Sequence, residues 1–212
     1  MNKISAKCKY CRRAGEKLFL KGDKCGTPKC AVVRKPAPPG MHTVKSRRAK
    51  SEYGQQLAMK QRIKHIYAVL ERQLNKYFQE VGNKPGVTGD LFMQKLEMRL
   101  DNIIYRAGLA SSRRQARQMV KHSSFLVNGK NANIPSHELR IGDKINIKEG
   151  KIGKAYLKQI VADLKEKKGS GVPKWIQIDF EKAIIIEIKG KPMRDDFGAG
   201  IDAQMVVEFY SR

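Results

Sequence analysis

The chain has 212 residues, and 44 Lys and Arg against 20 Asp and Glu leave a formal charge of +24 and a pI of about 10.1. A chain this basic repels itself and seeks a polyanion, either nucleic acid or an anionic membrane surface. No apolar run approaches the roughly 20 residues of a membrane span, and MNKISAKCKYCRR has no apolar h-region, so neither an anchor nor a secretory signal is expected.

All four cysteines lie near the N-terminus, as Cys8-x2-Cys11-x13-Cys25-x4-Cys30. Two short-spaced pairs joined by a modest loop match a closed structural zinc site of four thiolates. Nearby Lys and Arg would favour thiolate over thiol, and a metal would explain how a stretch poor in apolar residues folds. Free thiols, a disulfide pair and an iron–sulfur cluster are the alternatives. Next comes RKPAPPGMHTVKSRRAK, residues 34–50, whose prolines and glycine argue against regular structure. It carries Lys45, Arg47, Arg48 and Lys50, which could touch phosphates without reading bases. A solvated linker is the plainer reading.

From Ser51 an amphipathic pattern through Tyr53, Leu57, Ile63, Tyr67, Leu70, Leu74, Phe78 and Val81 predicts two helices or one bent one, ending near Gly82. A further helix is expected from Thr88, with Met93, Leu96, Leu100, Ile103, Ile104 and Ala107 on its core face and Gly108 as its stop. Then comes SSRRQARQMVKHSSFLVNGK, residues 111–130. Ser112 and Gln115 suggest a capping box, which completes a compact helix-turn-helix. A hairpin follows, with Asn128-Gly129 suited to a type I′ turn and a return through Ile134. Strands are expected at 144–148, 175–179 and 183–189, and a helix at 154–167. The tail IDAQMVVEFYSR fits helix or strand.

Arg113 and Arg114 stand in a helical first turn, where cations face the positive end of the helix dipole at a cost of a few tenths of a kcal/mol each. An anion should compensate. Projected at about 100° per residue, Arg113, Arg114, Arg117 and Lys121 share a face opposite Ala116, Met119 and Val120. Arg99 and Arg106 share a face of the preceding helix. The plain reading is a solvated basic face; the functional one is phosphate binding, with these cations contributing nothing to the fold. Asp196-Phe197-Gly198 spells a kinase-like triplet without its partner motifs, and nothing else suggests an active site.

With these residues laid out, the chain resembles the bacterial small-subunit ribosomal protein family called S-four. Residues 96–147 look like its signature RNA-binding module, and SEYGQQLAMKQRIKHIYAVLERQLNKYF resembles its helical domain. GVPKWIQID and VVEFYSR resemble its C-terminal part, and the cysteines its zinc-binding form. Ser123 stands where glycine would be usual. The resemblance implies a primary binder of small-subunit (16S-type) rRNA that docks on a junction in the 5′ domain and nucleates assembly. It further implies a cytoplasmic protein in the ribosome, beside the mRNA entry channel and ribosomal protein S-five, with an influence on translational accuracy. Neither a membrane nor a small-molecule substrate is expected.

The resulting expectation is an α+β fold with a zinc-bound N-terminal segment and linker at 1–42. A helical domain follows at 43–94, joined by the tail 188–212, with an inserted RNA-binding module of helix-turn-helix plus small antiparallel β-sheet at 95–187. One Zn2+ is expected on Cys8, Cys11, Cys25 and Cys30. RNA is expected at Arg99, Arg106, Arg113, Arg114, Arg117, Lys121, Lys45, Arg47, Arg48 and Lys50. The rival readings are a free RNA-binding repressor and the RNA-binding part of a modifying enzyme.

Overall fold

The computed structural model describes residues 7–40, 51–152, 155–166, 171–179, 185–198 and 200–212. In chain order the elements are α1 (Cys8–Ala14), α2 (Ala31–Arg34), α3 (Glu52–Ile66), α4 (Glu71–Gly82), α5 (Thr88–Glu97), α6 (Leu100–Arg106) and α7 (Arg113–Lys121). Then come β1 (Phe125–Val127), β2 (Lys130–Ala132), β3 (Lys144–Ile147), α8 (Glu149–Ile152), α9 (Ala155–Glu166), β4 (Ile176–Asp179), β5 (Ile185–Ile188) and α10 (Ala203–Tyr210). Among the described residues the fold is mixed: helices plus one antiparallel sheet. No helix among the described residues is long and apolar enough to cross a membrane.

The chain divides into two compact units, Met1–Gly89 with Gly200–Arg212, and Asp90–Ala199. In the first, Ser51 caps α3 by accepting the Gly54 N–H at 3.2 Å. Its buried centre includes Ile63, Tyr67, Leu74, Tyr77, Val81 and Val206. The tail resolves as helix: Asp202 accepts the Gln204 N–H, and MVVEFY, for all its β-branched and aromatic residues, lies along α3. Tertiary partners override intrinsic preference there. Gln56 donates to Glu208 at 3.0 Å, the Lys60 ammonium sits 4.1 Å over the Phe209 ring, and Phe78 stacks on Tyr210 at 4.7 Å.

In the second unit the strands run in the order β2-β1-β3-β5-β4, every pair antiparallel. Phe125, Val127, Ile145, Ile147, Ile186 and Ile188 point to one face and join Leu100, Ile103, Ile104, Ala116, Met119 and Val120 in a single core. Asn128 and Gly129 both take positive φ, 49° and 76°, as a type I′ turn requires. Asn128 also ties that turn to the start of β3: its amide donates to Asp143 at 2.8 Å and accepts the Lys144 N–H at 2.9 Å.

Two expectations change. The helix foreseen from Thr88 to Ala107 is broken at Met98 and Arg99, because the neighbouring loop captures its backbone. Arg99 is extended at ψ 140°, and the N–H groups of Leu100 and Asp101 donate to the His137 and Pro135 carbonyls at 2.9 and 3.1 Å. The hairpin returns only to Ala132, short of Ile134. Beyond β5, which ends at Ile188, Gln94 donates to the Pro192 carbonyl and Arg194 pairs with Asp90 at 2.7 Å.

Candidate RNA-binding face and cysteine cluster

The break between α5 and α6 gathers polar side chains where an unbroken helix would spread them out. Glu97 ends α5 and is fully buried, while Asp101 and Asn102 open α6 at 4% and 1% exposure. Asn102 donates its amide to the Glu97 carboxylate at 2.6 Å and to the Glu97 carbonyl at 2.8 Å. Two buried carboxylates in an apolar core demand cationic partners, and the arginines supply them.

Arg99 is 2% exposed and grips Asp101 bidentately, at 3.0 and 2.8 Å. Arg106 grips Glu97 the same way, at 2.9 and 2.6 Å, and also donates to the Asp196 carbonyl. From α7, the Arg113 Nε donates to the Asn102 Oδ1 at 2.7 Å. A second nitrogen of the same guanidinium lies 3.8 Å from Glu97, and the group sits 4.5 Å over the Tyr105 ring. Arg117 lies 3.7 Å from Asp101, with 38% of its side chain exposed. Arg114 and Lys121 are exposed, with no ion-pair partner among the described residues.

The sequence pattern therefore needs a correction. The cationic stripe of α7 does lie opposite Ala116, Met119 and Val120, which are buried. Yet Arg113 and Arg117 are not spectators of the fold, since they meet the acidic groups of α5 and α6. The anion that a crowded first turn requires is in part internal. Ser112 caps α7 by accepting the Gln115 N–H, whereas the Gln115 side chain accepts from Ser111 and not from Ser112. Sequence reasoning missed Glu97, Asp101, Asn102 and Tyr105. The available signal was a pair of acidic residues and an asparagine on a stretch otherwise read as an apolar core face.

Lys45, Arg47, Arg48 and Lys50 lie outside the described residues. The four cysteines are unbridged thiols, three of them buried, and all four line one small cavity with Lys7, Leu20 and Lys21. The Lys21 N–H donates to the Cys25 Sγ at 3.4 Å. Burial pushes the Cys11 thiol up from its ordinary pKa, opposed by a backbone hydrogen bond at Leu18 and reinforced by the other three cysteines. Among the described residues no three His, Cys, Asp or Glu side chains stand arranged as a metal-binding group. Four soft sulfurs lining one cavity are the donor type that zinc takes.

Residues 2–97 match the family model described as "Ribosomal protein S4/S9 N-terminal domain", and residues 98–145 the one described as "S4 domain". Small ribosomal subunit protein uS4A of Nitrosomonas europaea is 46% identical to the chain, covering 99% of it and 98% of the relative. Small ribosomal subunit protein uS4 of Thermus thermophilus is 43% identical, with the same coverage of each. The protein of that name from Azoarcus sp. is 46% identical, again over 99% of this chain and 98% of its own. The boundary between the two matched models falls after Glu97, at the helix break that assembles the arginine–carboxylate cluster. This is a family of ribosomal structural proteins and not of enzymes. End to end, from the cysteine segment through the arginine cluster to the C-terminal helix, the chain belongs to the ribosomal S4 family.

Proposed function

We propose that the chain is a structural constituent of the small ribosomal subunit and binds its rRNA through the outward face of α7. The observation that carries this reading is the placement of Arg114 and Lys121. They are exposed on the same helix whose inward arginines are already engaged, so their charge is directed at a partner outside the fold. Arg113 and Arg117 border that face, and Arg106 and the buried Arg99 support it from behind; Lys45, Arg47, Arg48 and Lys50 are further RNA contacts in this reading. Affinity comes from phosphate neutralisation, and specificity from the shape of a folded RNA junction.

Within that reading the junction lies in the 5′ domain, and binding there nucleates assembly. The mature position is beside the mRNA entry channel and ribosomal protein S-five, with an influence on translational accuracy. One zinc ion on Cys8, Cys11, Cys25 and Cys30 would serve as a fold staple for a segment with little apolar core, a role that needs no open coordination position. Co-sedimentation tests the assignment: a resident protein stays with small subunits through a salt wash at near one copy each. A protein found mostly off the ribosome would instead be a free regulatory RNA binder.

A further inference from the structure

The cluster beneath α7 holds two buried carboxylates among four arginines, an arrangement that phosphate neutralisation does not require. A face built only to attract phosphates gains nothing from acid behind it, because Glu97 and Asp101 each subtract one positive charge from the site. The fold alone does not require them either, since apolar residues of similar volume usually do as well as a buried ion pair. What the acids do supply is orientation. Arg113 is fixed from three directions, by the Asn102 Oδ1 at its Nε, by Glu97 beside a terminal nitrogen, and by the Tyr105 ring against its plane. Asn102 can offer that oxygen because Glu97 holds its amide end. Arg117 is drawn toward Asp101, which Arg99 holds bidentately.

We propose that Glu97 and Asp101 are positioning residues for RNA binding: Glu97, directly and through Asn102, fixes the guanidinium group of Arg113, and Asp101 draws in that of Arg117, before RNA arrives. The inference rests on the reading of α7 as the RNA face and adds to it a mechanism. A long side chain immobilised only on binding costs affinity, roughly two- to tenfold for each one. Arginines already held by buried carboxylates avoid that loss, and their planar forks present a fixed geometry to phosphate oxygens.

The test turns on sign. Glu97→Gln and Asp101→Asn each raise the net charge by one, so attraction alone predicts tighter binding to purified small-subunit rRNA. Positioning predicts weaker binding, by roughly two- to tenfold per freed arginine, in full-length protein shown to be folded by circular dichroism. A merely structural loss would add independently to other changes. Positioning requires instead that Glu97→Gln lose its effect in an Arg113→Gln background, and Asp101→Asn in an Arg117→Gln background. Tighter or unchanged binding overturns the proposal, as does full additivity. If one acid variant fails to fold, the other decides; if both do, the carboxylates serve the fold and the proposal falls. Arg114→Gln and Lys121→Gln in the same assay separate the two claims. If these leave affinity unchanged, the RNA face itself is misplaced. If they weaken binding while Glu97→Gln tightens it, positioning alone is wrong.

Discussion

Ser123 adopts φ +52°, a left-handed conformation that an L side chain enters at a cost and glycine does not. It follows the C-cap residue His122 of α7, and its N–H reaches back to the Val120 carbonyl at 2.8 Å, so the strained residue closes the helix. Ser123→Gly should therefore raise stability by about 0.5–1 kcal/mol, read as a higher denaturant midpoint with unchanged slope. A lower midpoint would mean that the serine side chain matters more than its backbone. This position was legible from sequence, because serine stood where a C-terminal glycine was expected. Arg113 was legible only in part: its place on the cationic stripe followed from helical period, but its partner Asn102 lies in another helix and leaves no periodic trace. A second residue-scale expectation concerns Glu71. Burial would raise its carboxyl, but hydrogen bonds from Lys60 at 2.6 Å and Lys64 at 2.7 Å outweigh that and hold it below the ordinary range. A carboxyl depressed in the fold stabilises at neutral pH, and that contribution is lost as pH falls through its lowered value. Thermal melting should thus drop as pH falls through and below the ordinary carboxylate range, and Glu71→Gln should flatten that limb. An equal acid slope in the variant would show that other carboxylates dominate.

At the scale of elements, apolar spacing located most helices and strands because their buried faces repeat with a fixed period. It failed where the backbone is governed by a distant segment. The break at Met98–Arg99 depends on carbonyls of Pro135 and His137, more than 30 positions along the chain, and no local pattern encodes them. The C-terminal helix was likewise ambiguous until α3 supplied its partner. Tyr210 reports that docking: burial, and then the Glu71 carboxylate that its hydroxyl meets at 3.3 Å, push the phenol above its ordinary pKa. The cysteine segment is the opposite case. Its spacing set the four cysteines in two short pairs, and the fold brings all four thiols to one cavity. Protein purified without added metal should contain about one zinc per chain, and chelation should cost the first segment its structure while leaving the second unit intact. Iron with acid-labile sulfide would contradict this, as would a disulfide.

At the scale of the whole molecule, a charge of +24 announces a polyanionic partner and leaves its site open. The structure narrows the choice by sorting the cations. Arg99 and Arg106 are committed to buried carboxylates, Arg113 and Arg117 are shared between interior and edge, and Arg114 and Lys121 face outward. Composition could not make that division, because an arginine counts the same whether it neutralises a protein carboxylate or a phosphate. It also follows that removing Arg113 or Arg117 would mix any lost RNA contact with lost stability, whereas removing Arg114 and Lys121 would not. The most direct measurement is therefore the salt dependence of binding to small-subunit rRNA by the Arg114→Gln, Lys121→Gln double variant. Its melting temperature should match the parent protein. Its affinity should fall, and the slope of log K against log salt should shrink by roughly 1.4–1.8 units, at about 0.7–0.9 per lost phosphate contact. An unchanged slope and affinity would contradict the account, and the outward face of α7 would then be no more than a solvated surface.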